Sequence, residues 1–299
     1  MVSAGCAVRH RRRIGNSASG SQSVLGCHSH IAPSMPLPLQ TRLPSLTTRL
    51  LPKLPSLCTL AGLLIGAALL PAPAQTVPAE AIAPPPSADM AFEVEGRISG
   101  MGYSARAQLR WQQDGEHYEA FQAIRLPLVG TRSQRSSGTL RPHFLQPLRF
   151  EDSARKRRSL RFDPASGSVI ADEATQSASV PEGAQDRLSV FFQLAATVAG
   201  QPQRYVEPGR QIPIWTVANN KQEAWVFEVV EHAPITLPAG TMDAVRLQRM
   251  PRKPGDQQAD IWLAPQTGYL PVRIHLSEDD GDVVDLRLRD YQAQTDTAP

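Results

Sequence analysis

The chain has 299 residues with 31 Lys+Arg and 28 Asp+Glu, a formal net charge of +3. That charge is not evenly spread: residues 1–74 carry seven basic residues and no acidic one, so the remaining 225 residues carry a net −4. This balance excludes a polyanion-binding surface over the main body of the protein. All three cysteines (Cys6, Cys27, Cys58) also lie in the front segment, so the rest must be held by an ordinary core and not by disulfides.

The front segment reads as an export signal. An apolar run of 14 residues from Leu57 to Leu70 is followed by Ala72-Pro73-Ala74, the small-x-small pattern of a signal peptidase site. The run is too short to span a bilayer as a helix. Cleavage is expected between Ala74 and Gln75, releasing the protein into the periplasm with no stable transmembrane span. Residues 1–34 show no hydrophobic period, which makes Met35 the favoured start over Met1. Arg11-Arg12-Arg13 stands too far from the apolar run for a twin-arginine signal, and Cys58 opens that run where a lipoprotein cysteine would close it.

Residues 75–90 are Pro/Ala-rich and are expected to form an extended linker, with a β-rich domain over 91–292. In that domain the dominant period is two. Leu270, Val272, Ile274 and Leu276 alternate with polar neighbours, as do Val284, Leu286 and Leu288 after the turn Asp279-Asp280-Gly281-Asp282. Similar turns follow Leu109-x-Trp111 and Leu160-x-Phe162, and Pro238-Ala239-Gly240 precedes another strand. Strands joined by short turns, without alternating helices or a fixed repeat, predict antiparallel pairing.

One segment departs from this pattern. From Asp186 to Ala199 the apolar residues Leu188, Phe191, Phe192, Ala195 and Ala199 share a helical face, widened by Val190, Leu194 and Val198. Only Ser189, Gln193 and Thr197 form a polar stripe. Asp186 is the expected N-cap and Gly200 the expected stop, predicting a mostly buried helix over about 186–199. The fold class that follows is mainly β: one large antiparallel curved sheet, or open barrel-like roll, with this helix plugging its concave side.

Candidate chemistry is sparse. There is no Gly-x-Ser-x-Gly elbow, no His-Glu-x-x-His, no phosphate-loop or dinucleotide fingerprint, and His117, His143, His232 and His275 are scattered. No catalytic residue, metal ligand or cofactor is assigned. The carboxylates Glu278, Asp279, Asp280 and Asp282 cluster, but they fall at a hairpin turn, where Asp is favoured for backbone bonding. Arg155-Lys156-Arg157-Arg158 is the densest charge after residue 74 and the candidate contact for an anionic ligand, set against a plain charged turn. Arg158 shares a strand face with Leu160 and Phe162, which places it at the border of the core. Trp111, Trp225 and Trp262 sit in strand-like segments, where packing is the first reading and a ligand platform the second.

Three stretches together resemble a known family. They are Gly183 to Ala195 (GAQDRLSVFFQLA), Leu237-Pro-Ala-Gly-Thr241, and Ile261-Trp-Leu-Ala-Pro265 with Tyr269-Leu-Pro-Val-Arg-Ile274. They resemble the exported bacterial domain of unknown function 3108 over roughly residues 92–290. The resemblance implies an envelope location and a β-rich domain with a helix, and supplies no activity. Asp186, Arg187, Ser189, Trp262, Pro271 and Arg273 are the motif positions whose role is open. Asp186 and Arg187 are readable as a cap and a charge pair to the sheet, and Pro271 as an edge or bulge residue.

The functional expectation is a non-catalytic binding or assembly factor for an apolar or amphipathic envelope component, such as a lipid. The alternatives are a scaffold that takes a protein partner by edge-strand addition and, third, an envelope hydrolase. Nucleic acid is not an expected partner.

Overall fold

The computed structural model describes residues 80–294, except 127–129, 155–156, 173 and 219–220. The expected signal segment, its cleavage point at Ala74 and Gln75, and both candidate start codons lie outside these residues.

The chain first runs outward as an antiparallel meander: β1 (Ala88–Ile98), β2 (Met101–Gln113), β3 (His117–Leu126), β4 (Gly130–Leu140), β5 (Leu145–Ser153), β6 (Arg157–Asp163), β7 (Ser168–Ala171) and β8 (Ala178–Ser179). A short β9 (Gln185–Asp186) and the helix α1 (Ser189–Gly200) follow. A second meander then returns through β10 (Gln211–Ala218), β11 (Lys221–Leu237), β12 (Gly240–Arg249), β13 (Gln258–Leu263), β14 (Pro271–Ser277) and β15 (Val283–Ala293). β15 pairs with β1 from Val283 to Ala293, so the two meanders fuse into one sheet whose outermost strands are β8 and β9. Every pairing is antiparallel except β9 with β10, where Gln185 and Asp186 oppose Thr216 and Val217. The final hairpin pairs Arg273 with Arg287 through Ser277 with Val283, the register its period-two pattern predicts.

The concave side is filled by α1. Leu188, Val190, Phe192, Leu194, Ala196 and Val198 are all fully buried, in one core with the inward rows of both meanders. Trp111 of β2 stacks on Phe192 at 4.5 Å and on Tyr118 of β3 at 5.2 Å. Of the polar stripe, Ser189 and Gln193 are buried and Thr197 half-buried, and it finds partners: Gln193 Oε1 accepts from the Leu145 N–H at 2.7 Å, and its Nε2 donates to Thr197 Oγ1 at 3.1 Å. The helix therefore fills the roll and does not gate an empty apolar space.

Three expectations need correction in detail. The helix begins at Ser189, because Asp186 is held in extended conformation by its pairing with β10. Gly200 is the last helical residue, not a left-handed terminator; a Cβ there would lie 2.5 Å from the Ala81 carbonyl oxygen. The Pro/Ala segment is also no slack linker from Glu80 onward, and β1 starts inside it, at Ala88. Ala83 N–H donates to the Ala196 carbonyl at 2.9 Å, Ile82 N–H to the Pro142 carbonyl at 2.9 Å, and Trp111 Nε1 to the Pro85 carbonyl at 2.9 Å. Four prolines and alanines in a row thus form a strap across the end of the helix. Prolines lack an N–H to satisfy, so the strap is docked by the Ile82 and Ala83 N–H groups and the Pro85 carbonyl.

Candidate functional site

Two polar regions meet at the start of α1. The first is sealed. Asp186 is fully buried, and its Oδ1 accepts the N–H groups of Leu188 and Ser189, each at 2.8 Å. Its Oδ2 accepts the Ser136 hydroxyl at 2.6 Å, and Ser136 lies 3.1 Å from the Tyr118 hydroxyl. Ser189 Oγ in turn accepts the Asp186 N–H at 2.9 Å. The carboxylate thus caps the helix from two residues before its backbone cap, Leu188, which has no side-chain cap of its own. Burial raises the Asp186 pKa against the lowering effect of these hydrogen bonds, and burial with the nearby Asp186 charge raises that of Tyr118. Ser189 and Asp186 are both fully buried, and among the described residues neither has a histidine as a hydrogen-bond partner, so the cluster closes on itself as a lock at the start of the helix.

The second region is open. A cavity of about 520 Å³ lies between the two limbs of the sheet, with Phe150, Arg158 and Leu160 from β5 and β6 on one side and Glu223, Trp225 and Arg249 from β11 and β12 on the other. Arg187 reaches it from the start of the helix; Lys253 and Asp256 come from the β12–β13 loop, and Glu278 from the end of β14. A neighbouring cavity of about 510 Å³ shares Lys253, Gly255, Asp256 and Glu278 and adds Arg252.

The position of this cavity has a simple origin. On β6 the inward row Phe162, Leu160 ends at Arg158; on β11 the row Val229, Phe227, Trp225 ends at Glu223. On β12 Val245 and Leu247 lead to Arg249, and on β14 Ile274 and Leu276 lead to Glu278. In each case the period-two side-chain direction carries a charge onto the core face at the same end of the roll.

The charges are only partly paired. Arg249 is 4% exposed; it lies over the Trp225 ring at 4.4 Å, donates to the Gln257 carbonyl at 3.1 Å and meets Glu223 at 3.4 Å. Its Nε is buried with no acceptor among the described residues. Glu223 also takes a bond from Trp225 Nε1 at 2.8 Å and an ion pair from Arg252, which holds Asp256 as well. Burial pulls the Arg187 guanidinium down to about 10, helped by repulsion from Arg132 and Arg158 and opposed by Asp152 and Glu278; it stays charged at neutral pH. Burial likewise lowers Arg249, against the pull of Asp256 and Glu223. Glu278 is raised, first by burial and then by Asp280 and Asp282, while its bond from Gln257 acts the other way. Arg158, Lys221 and Lys253 at the rim make no ion pair with another described residue.

The positions singled out in the sequence thus disperse. Arg155 and Lys156 lie outside the described residues; of the other two, Arg157 is exposed and Arg158 lines the cavity. Arg187 joins it, whereas Asp186 and Ser189 turn into the sealed network. Trp262 and Arg273 are on the convex face, where Trp262 is flanked by the guanidiniums of Arg246 at 5.3 Å and Arg273 at 4.5 Å, and Arg273 binds Asp285 at 2.8 Å. Pro271 is buried at the first position of β14, opposite a bulge between Trp262 and Leu263, as a strand proline requires. Of the turn carboxylates, Glu278 leaves the solvated turn and enters the cavity. Among the described residues no group of three or more His, Cys, Asp or Glu is placed to hold a metal, and no helix is long and apolar enough to cross a membrane.

Residues 93–289 match the family described as protein of unknown function DUF3108. The chain belongs to this family. Comparison with curated proteins gives no match. Among solved structures, a beta-barrel-like protein of the domain of unknown function DUF1849 from Brucella abortus is 8% identical, with a TM-score of 0.49 over 72% of this chain and 100% of that one. A Vibrio parahaemolyticus domain described as an outer membrane lipoprotein-sorting protein is 10% identical, with a TM-score of 0.27 over 71% of this chain and 87% of that one. The DUF3108 match spans both meanders, the helix and nearly every residue of the cavity.

Proposed function

We propose that this DUF3108 protein is an exported, non-catalytic binding factor of the bacterial periplasm that takes an amphipathic envelope component by its polar end. The observation that carries this reading is the cavity of about 520 Å³, walled by Phe150, Leu160 and Trp225 and rimmed by cations. Its volume is that of an ordinary small-molecule site. The basic, acid-free front segment with Ala72-Pro73-Ala74 supports export. Because α1 fills the concave side, a purely apolar ligand has no dry interior to enter, and the apolar part of an amphipath stays outside the core.

Two other readings are less well supported. Strand addition needs a clean edge. The edge of β10 beyond its short pairing with β9 runs from Gln211 to Trp215 and is broken by Pro213, a device that resists added strands. Hydrolysis needs a free base beside the acid; Glu278 has the raised pKa of an acid, but Glu223 and Asp256 are already held by arginines.

The test is native mass spectrometry of the protein purified from the envelope fraction, with lipid extraction of the same sample. A stoichiometric amphipath that survives purification is the expected result. A clean unliganded mass with nothing extracted would count against the reading.

A further inference from the structure

We infer that the cavity between the two limbs of the sheet is a phosphoryl-binding site, so that the polar end of the ligand is a phosphate group. The inference rests on the binding reading above and names the chemistry of the same site.

The first reason is where the cations come from. Arg158 belongs to β6, Arg187 to the start of the helix, Lys221 to β11, Arg249 to β12 and Lys253 to the β12–β13 loop. They border one space from several directions. A planar carboxylate is satisfied by one guanidinium fork, whereas a tetrahedral phosphoryl group presents oxygens to donors on several sides.

The second reason is the charge balance. Counting Arg252 and Asp279 from the neighbouring cavity, six cations stand against five carboxylates, Asp172, Glu223, Asp256, Glu278 and Asp279. Glu223 and Asp256 are taken up by Arg249 and Arg252, and Glu278 accepts a bond from Gln257. At the rim, Arg158, Lys221 and Lys253 have no ion-pair partner among the described residues. Arg158, Lys221 and Lys253 are exposed cations converging on one cavity, and such a cluster attracts a multiply charged anion.

The third reason is the Trp225–Arg249 stack. The ring at 4.4 Å, the Gln257 carbonyl and Glu223 together fix the guanidinium, so this arginine lines the cavity in a set orientation. Rigid presentation lowers the ordering cost of binding.

The test is calorimetric titration of the protein from the envelope fraction with three probes. They are dihexanoyl phosphatidic acid below its micelle concentration, the dihexanoylglycerol that lacks the phosphate, and inorganic phosphate. Each is run on the wild type and on Arg158→Ala/Lys221→Ala/Lys253→Ala, whose exposed positions leave the core intact; the Lys221→Ala and Lys253→Ala single variants cover any loss of fold. The expected result is binding of the phosphatidic acid and not of the glycerolipid, competition by phosphate, loss on adding salt, and about tenfold weakening per removed cation. Saturable binding of inorganic phosphate to which the acyl chains add nothing would keep the phosphoryl site and overturn the amphipath. Equal binding of both lipids, unmoved by the triple variant, would overturn the phosphoryl inference and leave the amphipath reading standing. Binding of none of the three probes would overturn both.

Discussion

Asp186 and Arg187 are neighbours in the chain, both nearly buried, and their surroundings could hardly differ more. Asp186 turns into a sealed pocket where both carboxylate oxygens accept hydrogen bonds, from two backbone N–H groups and from a hydroxyl. Arg187 turns into a cavity where charges of both signs crowd and part of the rim is unanswered. A buried polar group is tolerated for one of two reasons: its partners are complete, or the site has work to do. The lesson is that two adjacent residues of one motif can face opposite surroundings, one a closed hydrogen-bond network and the other a charged cavity.

This contrast can be tested from the sealed side first. Phe192→Ala removes the ring stacked on Trp111 and should cost about 3–5 kcal/mol in denaturant unfolding, the largest effect expected here. Asp186→Ala leaves the N–H groups of Leu188 and Ser189 without an acceptor in the interior and should cost about 3 kcal/mol.

Asp186→Asn keeps one oxygen for those N–H groups and should stay within about 1 kcal/mol of the wild type. Its sign depends on pH. Burial lifts the Asp186 pKa above its ordinary value, so the favourable contribution is complete below the unfolded value and is lost as pH rises through the folded one. Melting curves from acid to neutral pH should therefore show Asp186→Asn gaining on the wild type as pH rises. A gap that is constant with pH would mean that burial does not move the Asp186 pKa away from its unfolded value.

Gly200→Ala pushes a Cβ against the strap carbonyl of Ala81 and should cost about 1–3 kcal/mol, with faster proteolysis near residues 80–87. At the other extreme, Lys221→Ala or Lys253→Ala should change stability by no more than about 0.5 kcal/mol while weakening phosphate binding. Melting temperature and calorimetry on the same samples check both halves of that statement.

The sequence announced the sheet because its strands are half buried, and half burial writes itself as alternation. The hairpin appears in the structure, with Arg273 to Ser277 paired to Arg287 to Val283. The helix was legible for the same kind of reason, although its first turn was not: the pairing of Gln185 and Asp186 with Thr216 and Val217, distant in the sequence, holds Asp186 extended. The strap of Pro84, Pro85 and Pro86 reads as a linker because it leaves no hydrophobic period and docks through a single carbonyl, that of Pro85, with the backbone N–H groups just before it.

The cavity was the least legible part. Its cations come from distant elements, and only the curl of the sheet brings Arg158 toward Lys221 and Arg249. A usable sign was nevertheless present: Arg158, Glu223, Arg249 and Glu278 each continue an inward apolar row with a charge. For Arg158 that sign was read; for the other three it required knowing that the rows end at the same place.

The most direct measurement is amide hydrogen exchange with and without dihexanoyl phosphatidic acid. The account predicts that Leu188 to Val198 exchange slowly and equally in both samples, while the loop from Met250 to Gln257 gains protection only with the probe. Fast exchange at Leu188 and Ser189, or protection by the probe at the helix and not at that loop, would contradict the division between a sealed lock and an open receptor.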